Sequence, residues 1–317
     1  MNVIVTGAAG FIGAALSERL LSEGDTVLGI DNLNDYYDPK LKVARNSRLE
    51  KHSRYTFLKM DIQNKSLNDV VSRFRPDVFV NLAAQAGVRY SIENPGAYMR
   101  SNVDGFFNVL EACRLNSVHK LVYASSSSVY GDNNDVPFHE SARVDDPVSF
   151  YAATKICNEI FAKSYKNIYG MNVIGLRFFT VYGPWGRPDM AVFKFTKKIL
   201  EGSTIELYNS GKNKRDFTFI DDIVEGVVRV IKLEGKEDVY NIGNKNSVEV
   251  LQFVKILEDV IEKPAITKLV PQAKGDVFQT FASTRALEED FGYETSTNLR
   301  EGLEAFFKWY SDYEKTG

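Results

Sequence analysis

The chain has 317 residues, 44 % of them hydrophobic and 26 % charged, with a formal net charge of −3. That balance, without a long basic run, argues against nucleic acid as a partner, and no apolar run approaches the ~18 residues a membrane span needs. Two cysteines (Cys113 and Cys157, both in helical patterns) and three scattered histidines offer no metal-ligand spacing and suggest reduced thiols in the cytoplasm. The opening MNVIVTG begins directly on a strand pattern, so no leader is expected.

In chain order, Asn2–Thr6 (NVIVT) reads as a buried strand and Phe11–Ser22 as a helix. Further strands are predicted at 26–30, Tyr55–Lys59, 77–82, 120–124 and 173–176. Helices are predicted at 41–51, 67–75, 95–116, Phe150–Tyr169 and 192–201. Short β-rich runs alternating with 3.6-period segments indicate an α/β fold with a Rossmann-type doubly wound parallel sheet. Such sheets bind ligands at the carboxyl ends of their strands. Beyond 180 the rhythm breaks into turns such as GPWGRP and NSGKNK, with short strands at 205–208 and 266–269. This predicts a smaller, mixed α/β substrate lobe. The run FTFIDDIVEGVVRVIKL is expected to return to the first lobe. The expected division is therefore 1–180 plus 216–242 for nucleotide binding, and 181–215 plus 243–317 for the substrate lobe.

Gly7, Gly10 and Gly13 form TGAAGFIG between the first strand and the first helix. A pyrophosphate needs a tight turn there, no intervening side chain, and a helix N-terminus whose N–H groups face the anion. Asp31 ends the second strand, where a carboxylate accepts from both adenosine ribose hydroxyls and repels a 2′-phosphate. No Arg or Lys follows it immediately, which favours NAD over NADP. Asp61 and Ile62 end the third strand beside the adenine position, and NLAAQ (Asn81 to Gln85) ends the fourth with small residues that let a cofactor lie close. Taken singly, Asp61 also fits a helix cap, and Ala83 and Ala84 fit core packing; their joint position at successive strand ends favours the cofactor.

Tyr151 and Lys155, in YAATK, lie at i and i+4 on one helix face. A tyrosine needs its pKa of about 10 lowered to act as a base near neutrality. An ammonium one turn away favours the phenolate, and the positive ring of NAD adds to this. An ordinary surface pair has the same spacing, but this one follows a nucleotide-binding pattern and comes shortly after the serine run SSSSVYG. Cys157 reads as core rather than nucleophile.

Together, TGAAGFIG, Asp31, NLAAQ, SSSSVYG and YAATK resemble the extended short-chain dehydrogenase/reductase family, the NAD-dependent nucleotide-sugar epimerases and dehydratases. The resemblance covers essentially the whole chain. Three further stretches, DNLNDYYDPKLKVARNSRL, AGVRYSIENPGAY and YGPWGRPDMAVFKF, are similar to those of UDP-glucuronate 4-epimerases within it. The resemblance implies that Tyr151 is the base at the sugar 4-hydroxyl while a hydride passes from C4 to NAD. Lys155 would bind the nicotinamide ribose, and Ser126 would bridge Tyr151 and the sugar 4-oxygen. The 4-keto sugar would then turn and be re-reduced, giving UDP-galacturonate from UDP-glucuronate with no net redox change. The cofactor contacts it implies are Gly7, Gly10, Phe11, Ile12, Gly13, Asp31, Asn32, Asp61, Ile62, Leu82, Ala83, Ala84, Gln85, Asn102, Tyr151 and Lys155. In the second lobe it implies UDP contacts at Phe193, Lys194, Arg215 and Asp276. It also implies a homodimer joined by a four-helix bundle of 95–116 and 150–169 from each copy.

Related dehydratases place an Asp–Glu pair just after the catalytic hydroxyl, and related UDP-glucuronate decarboxylases a glutamate at the position of Ser128. Here residues 127 and 128 are both serine, which hydrogen-bonds well but shuttles protons poorly. Dehydration therefore lacks its acid–base pair. Oxidising a hexuronate at C4 creates a β-keto acid that loses CO2 if the carboxyl bond aligns with the carbonyl. Ser127, Ser128 and Thr180 are suitable neutral donors to hold that carboxylate out of line. Arg89 and Arg187 are candidates for its charge, with a structural ion pair as an equal alternative for each. A neutral UDP-hexose 4-epimerase, a UDP-glucuronate decarboxylase and a non-catalytic NAD sensor remain the alternatives.

Overall fold

The computed structural model describes residues 1–133, 135–272 and 277–316. The strands are β1 (Asn2–Thr6), β2 (Thr26–Asp31), β3 (Tyr55–Lys59), β4 (Val78–Asn81), β5 (Lys120–Ser126), β6 (Val173–Phe178), β7 (Thr180–Tyr182), β8 (Thr204–Tyr208), β9 (Lys214–Phe219), β10 (Val239–Ile242), β11 (Ser247–Glu249) and β12 (Ile266–Val270). The helices are α1 (Phe11–Ser22), α2 (Pro39–Leu49), α3 (Leu67–Phe74), α4 (Val88–Glu93), α5 (Pro95–Tyr98), α6 (Gly105–Leu115), α7 (Phe150–Tyr169), α8 (Ala191–Glu201), α9 (Ile220–Lys232), α10 (Val250–Ile261), α11 (Arg285–Phe291) and α12 (Leu299–Thr316).

Seven strands form one parallel sheet in the order β10-β6-β5-β4-β1-β2-β3. Helices cover both faces, so a central strand has no solvent side: Val3, Ile4 and Val5 are all fully buried, and NVIVT shows no polar alternation. The order reverses at β1, and the strand ends on either side of it open a crevice.

The remaining strands form a three-stranded sheet, β11-β9-β7, and a two-stranded one, β12-β8. Of the run FTFIDDIVEGVVRVIKL, the first residues belong to β9 in the small sheet, and the helical part returns. There α9 packs on α1, tied by Arg19 to Glu225 at 2.7 Å. The buried ammonium of Lys120, at the start of β5, donates to the Val230 and Leu233 carbonyls at 3.2 and 2.7 Å and so closes the end of α9. β10 then joins the sheet edge beside β6. On this topology we propose dividing the chain as the sequence suggests, with β7 and β9 crossing between the parts.

The start and end of α7 agree with the sequence because both signals are local. Ser149 accepts from the Ala152 N–H at 3.1 Å, and Gly170 ends the helix in the left-handed region at φ +67. The helix expected over 95–116 is instead interrupted. Between α5 and α6 the chain widens into a π-helical turn, Met99–Asp104. Buried Asn102 turns inward there and bonds the Gln85 main chain and the Thr154 hydroxyl. An extra residue in one turn re-aims the side chain, which is a common use of π turns.

Arg45 of α2 is fully buried and ties three segments together. It donates to the Ala9 carbonyl at 3.2 Å, the Tyr37 hydroxyl at 2.7 Å, the Trp185 carbonyl at 2.6 and 3.0 Å, and the Gly186 carbonyl at 3.0 Å. Trp185 itself has φ 62, a region that bulky residues rarely enter. Holding it there costs of order 1–3 kcal/mol, which the Arg45 bonds offset. Arg45→Met removes every donor and leaves the carbonyls dry. It should lower unfolding free energy by about 3 kcal/mol in a urea titration; a loss within 0.5 kcal/mol, on the order of a surface change, would show the arginine to be dispensable.

Candidate active site

A cleft of about 400 Å³ opens along the carboxyl ends of β1, β2, β4 and β5 and against the start of β7. At one end the glycine loop turns on Gly7 at φ +69, where a Cβ would meet the Ala83 N and Leu82 C at 2.8 and 2.9 Å. A Cβ on Gly13 would collide with the Gly7 carbonyl oxygen. The loop therefore lies closer to the β4 end and to α1 than any side chain allows, and Gly7, Gly10, Phe11, Ile12 and Gly13 line the cleft at the N-terminus of α1. Asp31 accepts from the Ala9 N–H at 3.1 Å with one oxygen and from the Leu33 N–H at 2.8 Å with the other. These two bonds fix the carboxylate and leave lone pairs facing the cleft. Asn32 donates to Asp61 at 2.8 Å, which also accepts from the Gln63 N–H at 3.0 Å. Asp31, Asn32, Asp61, Ile62, Leu82, Ala83, Ala84 and Gln85 all line the same wall. A glycine cradle that a Cβ would fill, a helix N-terminus and a ribose-type carboxylate fit NAD.

At the other end Ser126, Ser127, Ser128, Tyr151, Lys155, Thr180 and Arg187 meet. Ser126 is the last residue of β5, and its Oγ accepts from the Ser128 N–H at 3.2 Å as the chain enters a short 3-10 turn, Ser127–Tyr130. Lys155 Nζ donates to the Ala124 carbonyl at 2.7 Å. Its buried position lowers its pKa from the ordinary lysine value to about 8, with Glu159 opposing the fall. Tyr151 is pushed up by burial, against the pull of the Ser126 hydroxyl and the Arg187 charge. The expectation that the Lys155 ammonium favours the phenolate thus meets a larger opposing effect: Lys155 bonds to a strand carbonyl and lies 6.0 Å from the tyrosine ring centre.

Not every expected residue reaches the cleft. Asn102 lies behind the wall and holds Gln85 from the π turn. Arg89 is exposed and stacks over the Tyr208 ring at 4.4 Å. Phe193 is buried among Phe306, Trp309 and Tyr310, so it packs the second lobe rather than lining the cleft, and Lys194 is exposed. Arg215 donates to the Lys214 and Phe278 carbonyls at 2.8 and 3.2 Å. Asp276 lies outside the described residues. Conversely, Tyr36, Lys42 and Met190 line the cleft without having been expected there. Arg187 pairs with Asp189, and the Tyr36 hydroxyl donates to Asp189 at 3.2 Å. Only the tandem tyrosines of NDYYD offered a sequence signal for this latch.

The sequence profile described as the NAD dependent epimerase/dehydratase family matches residues 3–243. The chain belongs to that family. It is 46 % identical to UDP-glucuronate 4-epimerase 2 of Arabidopsis thaliana over 100 % of this chain and 77 % of that one. It is 44 % identical to the protein CapI of Staphylococcus aureus over 99 % and 100 %. Among solved structures, UDP-glucuronic acid 4-epimerase from Bacillus cereus, in complex with UDP-glucuronic acid and NAD, superposes with a TM-score of 0.93 at 33 % identity, covering 99 % and 100 %. UDP-glucose 4-epimerase from Thermotoga maritima with UDP-glucose gives 0.90 at 28 % identity, covering 99 % and 100 %. The chain is an NAD-dependent nucleotide-sugar 4-epimerase, an isomerase. Among the described residues, no helix of this enzyme is long and apolar enough to cross a membrane.

Gly13→Ala should weaken binding of NADH, followed by its fluorescence, by tenfold or more. Unchanged binding would show that the collision with the Gly7 carbonyl is relieved without moving the loop.

Proposed function

We propose that the enzyme interconverts UDP-glucuronate and UDP-galacturonate. The observation that carries this reading is the chemistry of the cleft wall. Among the described residues its carboxylates are Asp31 and Asp61, both at the adenosine end, while the sugar end carries Ser126, Ser127, Ser128 and Thr180 beside Arg187. A dehydratase or decarboxylase needs an acid next to Ser126, and the turn that follows it offers only hydroxyls and backbone N–H groups.

Bound NAD supplies the acceptor and donor of hydride at C4. Tyr151 takes the 4-hydroxyl proton and, after the 4-keto sugar has turned its other face to the cofactor, returns it to the 4-oxygen. Ser126 spans the sugar oxygen and the phenol, and its fixed place at the end of β5 sets that distance. Lys155 donates to the nicotinamide ribose while anchored on the Ala124 carbonyl. Ser127, Ser128 and Thr180 donate to the hexuronate carboxylate and keep its bond to C5 in the plane of the ketone, where CO2 is not lost. Arg187, already paired with Asp189, contributes charge without a free guanidinium that would clamp the sugar and stop its rotation. The uridine diphosphate falls to Lys194 and Arg215 of the smaller lobe.

We further propose a homodimer. Ile160 and Ile168 of α7 are 61 % and 67 % exposed, and Phe107 of α6 is 51 % exposed. Buried in a four-helix bundle, this apolar face needs no other partner. The location on this reading is the cytoplasm.

Tyr151→Phe should cut turnover at least about 10³-fold while NAD stays bound, since it removes the proton carrier alone. Incubation with UDP-glucuronate, followed by NMR, should yield UDP-galacturonate; a pentose product with CO2 release would sink the epimerase reading. Replacing Ser127 and Ser128 with alanine should raise the decarboxylated side product, and its absence would remove those serines from carboxylate control.

A further inference from the structure

Beneath the cleft, Glu159, Ser125, Arg177 and Tyr130 form a polar cluster that has no part in the steps above. Tyr151, Lys155 and Glu159 stand at i, i+4 and i+8 on the same face of α7. Glu159 accepts from the Ser125 hydroxyl at 2.5 Å, and Arg177 of β6 binds both its oxygens, Nε to Oε1 at 2.9 Å and Nη2 to Oε2 at 2.7 Å. Arg177 also donates to the Tyr130 hydroxyl at 2.8 Å and the Glu140 carbonyl at 3.2 Å, and Tyr130 in turn donates to Asn241 at 2.6 Å. The side chains of Arg177 and Glu159 are 4 % and 10 % exposed.

Ser125 sits between the two groups the site uses from β5: the Ala124 carbonyl that receives Lys155 and the Ser126 hydroxyl. Ser125 is also paired in register with Arg177 on the neighbouring strand. A strand end is where a parallel ladder runs out of partners, so its last residues need side-chain anchors to hold one orientation. Arg177 anchors the turn on the far side through Tyr130.

We propose that Glu159 is a positioning residue of the epimerase: through Ser125 it fixes the end of β5, and through its charge it keeps the Lys155 ammonium in place. The proposal rests on the assignment of Tyr151 and Lys155 above. Glu159 is the carboxylate that counters the burial of Lys155, whose pKa is already lowered to about 8. Other titratable or charged groups that face this cluster are Tyr151 on the same helix, Tyr123 on β5, Arg177 on β6, Tyr130 and Glu140 after β5, and Arg187 from the turn beyond β7. Of these, Tyr123 and Tyr130 have raised pKa values and stay neutral near pH 7.

A lysine held down by burial loses its proton as pH rises through its own pKa, and activity that needs the ammonium falls on that alkaline limb. Removing the Glu159 charge moves the limb to lower pH. The test measures the pH dependence of kcat for the holoenzyme and, independently of turnover, titrates the Lys155 13Cε signal by NMR, with Lys155→Met identifying the resonance. Glu159→Gln should shift the limb and the titration together to lower pH by about one unit, a tenfold change in proton affinity. Ser125→Ala keeps the charge and should lower kcat about tenfold, with KM and the limb unmoved, because the interaction it removes sets orientation in the transition state. A folded Glu159→Gln protein with an unmoved titration overturns the electrostatic role, and full kcat in Ser125→Ala overturns the positioning role. Where Glu159→Gln does not fold, Ser125→Ala decides the positioning role. Full turnover in Lys155→Met would instead overturn the assignment of Lys155, and the NMR titration would still read the field of Glu159.

Discussion

The hydrogen bond from Lys155 Nζ to the Ala124 carbonyl at 2.7 Å joins the helix that carries Tyr151 and Lys155 to the strand that carries the serines. It has to form in the dry interior, where a free ammonium and a free strand-end carbonyl would each be costly. Once formed, it fixes how far along β5 the helix α7 can lie, and so the separation of Tyr151 from Ser126. The glycine loop, the carboxylate of Asp31 and the Gln85 segment are set by the same sheet, one strand spacing apart. The two halves of the cleft are therefore in register because the parallel ladder is.

Much of this was legible in the sequence. The glycine loop, Asp31, NLAAQ and the Tyr–Lys pair are encoded by neighbours in sequence and by strand ends, and all of them line one cleft. The helix α7 was readable to the residue because Ser149 and Gly170 cap it locally. What escaped depends on groups far apart in the chain. Asn102 looks like any polar position on a long amphipathic helix until Gln85 and Thr154 close around it. Arg45 looks like a surface charge in KVARNSRL, yet its guanidinium is satisfied by carbonyls of the glycine loop and of the turn near 185. Phe193 carries the right motif context but faces the aromatic packing of α12.

The serine run has divided labour. Ser125 bonds to Glu159, Ser126 ends the strand at the phenol, and Ser127 and Ser128 start the turn. Alternation along the strand separates Ser125 from Ser126, since adjacent side chains point to opposite faces, and the turn takes over from Ser127. A carboxylate at the turn would bring a proton shuttle to the sugar, and with it the eliminations and decarboxylation that relatives of this fold carry out. On the proposed reading, neutral donors restrict the chemistry to what Tyr151 can move.

The bonds from Arg45 to the Ala9 carbonyl and to Trp185 and Gly186 mean that the phosphate-facing loop is braced from behind by the protein itself. A loop already ordered has little conformational entropy left to lose when a ligand settles on it. In an epimerase, unlike a dehydrogenase that trades cofactor every cycle, the nucleotide leaves each turnover in the oxidation state in which it began. A braced cradle suits such a resident: it favours slow dissociation over rapid exchange, and the molecule behaves less like an enzyme with two substrates than like one with a prosthetic group.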